Sequence, residues 1–154
     1  MRRLFILVAG LALALGLSSP AAANGPAQHQ SNPVEGDVFV CDSGTYTAVS
    51  GELRTVIHEG ASEGGTVNFT GTVVPKNVTL VDESGDEFFA AGVIWFGGSV
   101  NTRTGGVADT FTFKIQIVSA DGGGTVGSVN FTAHVSPNGD EFFKIDGTTC
   151  EPPE

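Results

Sequence analysis

The sequence predicts an all-β fold of about eight antiparallel strands, and three observations carry that expectation. First, the chain after residue 23 holds 17 Val, 15 Thr, 10 Phe and 5 Ile but only two Leu (Leu53 and Leu80) and no Met. β-Branched and aromatic side chains suit a pleated surface, whereas Leu and Met suit helices. Second, three stretches alternate between apolar and polar residues. At 66–74, Val67, Phe69, Gly71 and Val73 oppose Asn68, Thr70 and Thr72. At 110–118, Phe111, Phe113, Ile115 and Ile117 oppose Thr110, Thr112, Lys114 and Gln116; at 128–136, Val129, Phe131, Ala133 and Val135 oppose Asn130, Thr132, His134 and Ser136. A period of two with one dry face is the habit of antiparallel strands packed on one core. Third, twenty glycines punctuate this region as turns do.

The remaining strand candidates are 37–42, 45–50, 51–58, 77–82, 86–96 and 141–149, with 45–50 and 51–58 readable as one strand bent at Gly51. Glu83-Ser84-Gly85 and Pro137-Asn138-Gly139 read as hairpin turns. Glu59–Gly65, Gly97–Val107 and Ser119–Gly124 read as Gly-rich loops, of which the second is the longest. GTVNFTGTVVP (65–75) is echoed by GSVNFTAHVSP (127–137), and each is followed by a Gly-Asp-Glu-Phe-Phe run. The echo reads equally as a duplication or as two hairpins under the same physical demands.

The first 23 residues have the build of an export signal. Arg2 and Arg3 precede an apolar run from Leu4 to Leu17, and Ala21-Ala22-Ala23 offers a cleavage site before Asn24. The apolar run is shorter than the roughly 20 residues that span a bilayer as a helix. The expected organisation is therefore a signal peptide (1–23), a flexible leader (24–36), one all-β domain (37–150) and a solvated tail (151–154). The product is expected to be secreted and extracellular, with no retained membrane anchor, and the signal reads as bacterial.

Cys41 and Cys150 flank the domain, and an even cysteine count in an exported chain reads as a disulfide. A bond between the first strand and the end of the last favours a closed barrel over a two-sheet sandwich. Seventeen acids against five cations after residue 23 leave a net charge near −12 there. Such a surface repels phosphate backbones, so nucleic acid is excluded as a partner.

No catalytic, metal or nucleotide motif stands out, so the chain reads as a non-enzyme without cofactor. His29, His58 and His134 have no ligand spacing, and Asp82–Glu87 reads as a solvated acidic hairpin. The Asn68, Asn77 and Asn130 sequons read as unglycosylated. The first functional expectation is a binding protein of β-barrel type for a small apolar ligand, with Phe69, Trp95, Phe111, Phe113 and Phe131 lining the interior. The second is an interaction module for a protein or cell-wall partner, with oligomerisation among its forms. It uses Phe88–Phe96 (FFAAGVIWF), a run that breaks the wet and dry alternation. There Phe89, Ala91, Val93 and Trp95 are assigned to the core and Phe88, Ile94 and Phe96 to an outer patch. A secreted enzyme without recognisable motif is the third.

Asn77–Asp82 (NVTLVD), Trp95-Phe-Gly-Gly, Phe113–Val118 (FKIQIV) and Ser136-Pro-Asn-Gly resemble small exported bacterial all-β proteins of unassigned function. The resemblance spans 41–150 and implies no catalytic residues. In architecture the strand count is similar to lipocalin-like and avidin-like barrels.

Overall fold

The computed structural model describes residues 26–62 and 64–151. Eight strands and no helix occupy them: β1 (Gln28–Pro33), β2 (Val38–Cys41), β3 (Gly44–Ala61), β4 (Thr66–Val81), β5 (Glu87–Asn101), β6 (Val107–Ser119), β7 (Thr125–Val135) and β8 (Glu141–Ile145). All pairings are antiparallel, and from β3 to β8 each strand pairs with the next in sequence. At the other edge β1 and β2 lie end to end against one long β3, β1 along Glu52–Ile57 and β2 along Gly44–Thr47.

The strand boundaries correct several sequence expectations. Residues 28–33, read as part of a flexible leader, pair as β1 with all six side chains exposed. Candidates 45–50 and 51–58, by contrast, form the one strand bent at Gly51 that the sequence allowed, with register shifts between Ala48 and Glu52. Candidates 66–74 and 77–82 also form one strand, interrupted by a bulge at which Asn77 takes a positive φ of 51°. The eleven-residue loop at 97–107 is mostly strand; only Thr102–Gly106 turns between β5 and β6. The last strand ends at Ile145 instead of residue 149.

A single sheet without a covering layer buries one face by curling until its own side chains meet over it. Tyr46 of β3 meets Phe88 of β5 edge to face at 4.8 Å. At the far side Phe111, Phe113, Phe131 and Phe143 stack on one another, with centroids 5.2–6.2 Å apart between ring neighbours. Ile57, Leu80, Ile117 and Val129 are the largest fully buried side chains of the same core.

Cys41 and Cys150 form a disulfide across the ends of this curl. β8 has stopped by then, and Thr148 and Thr149 take over the pairing of β7. Thr148 Oγ1 donates to the Asn130 carbonyl and accepts from its N–H, at 2.8 and 2.9 Å, while the Thr149 N–H donates to the Ser128 carbonyl at 2.9 Å. On the other side of this segment the Asp42 N–H donates to the Thr149 carbonyl and the Glu151 N–H to the Val40 carbonyl, both at 2.7 Å. The closed barrel is nonetheless a correction. The sheet runs from β1 and β2 to β8 as an open path, and only the single bridge at Cys41 and Cys150 spans its ends. The physical reason is that β2 is four residues long and β8 five, so neither edge reaches along the other.

Candidate functional site

The curl gives every strand a dry inner side and a wet outer side, and register decides which side each residue takes. Phe113 and Phe131 are buried, and Phe69 and Phe111 are partly buried against the same core. These four expected lining residues are inside, and Phe111, Phe113 and Phe131 spend their faces on one another and on Phe143.

In β5 the faces are the reverse of the sequence assignment. Phe88, Ile94 and Phe96, expected on an outer patch, are 8%, 6% and 9% exposed and belong to the core. Phe89, Val93 and Trp95, expected inside, are 45%, 40% and 42% exposed. The cause is register. Ile94 lies opposite Phe113 and Phe96 opposite Phe111, and directly paired residues share a face. Trp95 is therefore not a lining residue but the largest side chain of the outer face.

The outer face around Trp95 can be followed across the sheet in two rows. One row runs Val56, Thr72, Trp95, Thr112, Thr132 and Lys144 through β3 to β8. The next runs His58, Thr70, Gly97, Thr110 and His134 through β3 to β7, with Phe142 of β8 beyond. The indole lies along the strand over Gly97: a Cβ there would stand 3.0 Å from its Cη2 and 3.1 Å from its Cζ2. Gly97 thus leaves the room this edge of the ring occupies, and four threonines stand beside Trp95 and Gly97 on the neighbouring strands. Thr110 Oγ1 and His134 Nδ1 are hydrogen-bonded at 2.9 Å, which fixes that side of the row.

Asp109, next to Thr110 in β6, has a displaced affinity for protons. Burial pushes its carboxyl above its ordinary value, against the opposing pulls of the Val135 backbone hydrogen bond and His134. An acid that holds its proton more tightly folded than unfolded loses stability as pH rises from its unfolded value, 3.8, through the higher folded one. Asp109→Asn is therefore expected to melt above the parent at neutral pH and together with it near pH 3. Thermal melts at the two pH values check this; an equal or lower melting point at neutral pH would contradict it.

The other sequence candidates are placed as follows. Asp82 of the acidic hairpin accepts N–H bonds from Ser84 and Asp86 on one carboxylate oxygen, at 2.8 and 3.0 Å, and so serves the turn. Among the described residues no group of three or more His, Cys, Asp or Glu side chains is arranged to hold a metal. Two shallow pockets, of about 420 and 350 Å³, lie at β1 and are lined by residues such as Ser31, Glu52, Lys76 and Asn77, and by His29, Gln30 and Arg54; none of the expected interior aromatics lines either. Ala23 and Asn24 lie outside the described residues. No described helix is long and apolar enough to cross a membrane, and the disulfide is consistent with an extracellular location.

No family model, curated protein or solved structure matches this chain. Its function has to be read from the site alone.

Proposed function

We propose that this chain is an exported, non-enzymatic binding domain that meets a partner at the cell surface through the outer face of β5. The observation that carries the reading is the solvent-facing column Phe89, Val93 and Trp95 in the middle of a sheet whose core is formed by its other face. Large apolar side chains grouped on an outer face are a mark of an interaction site, and Trp is the residue type most enriched where binding energy concentrates. The stacking of Phe111, Phe113, Phe131 and Phe143 on one another supports this reading over a small apolar ligand inside, because the rings already occupy each other's contact faces.

Val93→Glu and Phe89→Glu test the reading. Both positions are on the outer face, so the thermal melt should stay within the range of ordinary surface changes, about 0.5 kcal/mol. Binding of the labelled protein to intact cells of the producing organism is expected to fall about tenfold or more, the loss of one well-placed contact. Unchanged binding by both variants would overturn the proposal.

A further inference from the structure

We infer that the partner recognised by this face is a neutral polysaccharide, with the Trp95 indole as the platform on which a sugar ring stacks. The inference rests on the proposed use of the β5 face and names what that face fits. Three observations converge on it. The indole lies against Gly97 through Cη2 and Cζ2 of its six-membered ring, and 42% of the residue is exposed to solvent. A sugar ring presents a face of C–H bonds, each weakly positive, and an aromatic face is the negative part of its quadrupole, so the two attract when stacked.

Around the ring the rows place Thr72 and Thr112 directly beside Trp95 and Thr70 and Thr110 directly beside Gly97. A hydroxyl both donates and accepts, which matches the rim of hydroxyls around a sugar. His58 and His134 lie four strand spacings apart in the second row, about 19 Å measured along the curved sheet. That length accommodates a short run of rings rather than a single one.

Charge selects among polymers. The outer positions of β4 to β7 that form this surface (70, 72 and 74; 89 to 97; 110 to 116; 128 to 134, in alternation) contain no acid and one cation, Lys114, in a chain of net charge −10. Acidic side chains are thus kept off the one surface where a stacked Trp meets hydroxyls. An anionic polymer would need a cluster of Lys or Arg, which the rows do not supply. A protein partner docking by apolar contact would be met by hydroxyls at both cross-strand positions beside the indole, Thr72 and Thr112. A neutral glycan fits both the hydroxyls and the missing charge.

Co-sedimentation with insoluble cellulose, chitin, mannan and starch granules tests the inference, together with titration of the matching soluble oligosaccharides against the emission of Trp95, the only Trp of the chain. The parent is expected to sediment with at least one of these polymers, to shift its emission with the matching oligosaccharide, and to do both independently of added salt. Trp95→Ala is expected to weaken sedimentation about tenfold with an unchanged melt, Trp95→Phe to restore part of it, and Gly97→Val to weaken it by lifting the ring. Failure of the parent to bind any of the four polymers, or equal sedimentation of Trp95→Ala, would overturn the glycan assignment. Salt-sensitive binding would overturn it in favour of a charged polymer. If cell binding still depends on Phe89 and Val93 while no polymer binds, the β5 face remains the contact and only its partner class has failed.

Discussion

Replacing Cys41 and Cys150 together by alanine is expected to cost the fold about 4–5 kcal/mol, the loop-closure effect of a bond between residues 109 apart in sequence. On a domain of this size that lowers the melting temperature by roughly 15 °C or more. The bond spans the open ends of the sheet, where three hydrogen bonds are the other ties beside it. They are the two backbone bonds from Asp42 and Glu151 and the Ser43 hydroxyl donating to the Val126 carbonyl, also at 2.7 Å. Gly127 of β7 sits beneath the sulfurs; a Cβ there would stand 2.7 Å from Cys150 Sγ and 2.9 Å from Cys41 Sγ. Gly127→Ala should therefore destabilise the parent and be tolerated once both sulfurs are gone, so the effects should not add. Thermal melts of the four proteins measure this. A loss below about 1 kcal/mol in the double alanine variant would mean that the backbone bonds hold the curl by themselves.

Much of the fold was legible because most strands obey one rule. In β6 and β7 the alternating Phe, Ile and Val side chains face inward as their spacing predicts, and the flanking Thr, Lys, Gln and Asn face out. The disulfide pairing was also legible, since the chain offers two cysteines and both flank the domain. β1 was not, for a physical reason. It is an edge strand held through its pairing with β3, all its side chains are exposed, and QHQSNP therefore carries no apolar period. The open ends were missed because a disulfide fixes one point of contact and says nothing about how far strand pairing extends beyond it.

The site was half legible. The run Phe88–Phe96 announced itself as unusual, but with apolar residues on both alternating sets no periodicity could choose the inner face. The deciding signal lay outside the run, in the turn after it. Taking 97–107 as a loop discarded the register that the tight turn at Thr102–Gly106 imposes on β5 against β6. Had Val100 been set opposite Val107, Ile94 would have fallen opposite Phe113, whose inward direction was already clear. Gly97 gave no signal in the sequence beyond a Gly-Gly pair; the room it leaves for the edge of the indole appears only in three dimensions.

Ile94→Lys and Trp95→Lys, substitutions at neighbouring positions, are expected to differ by several kcal/mol. Ile94 is 6% exposed on the inner face, opposite Val73 of β4 and Phe113 of β6. Lysine there places an ammonium among apolar side chains with no carboxylate opposite it. Burying an unpaired charge is one of the few single changes that exceed about 4 kcal/mol, a large fraction of a domain's total stability. Ile94→Lys is thus expected to lose its cooperative melt or shift it down by tens of degrees. Trp95 points the other way, and a lysine there keeps its charge in water while giving up the contact with Gly97. Its melt is expected to stay close to the parent's, while its binding to cells falls. Ile94→Val separates burial from charge, since it removes one methylene from the same site and should cost only about 0.5–1.5 kcal/mol. Circular-dichroism melts of the three variants decide the matter. If Ile94→Lys melts like the parent and Trp95→Lys collapses, the two faces of β5 are exchanged, and with them falls every argument that places Trp95 against a partner.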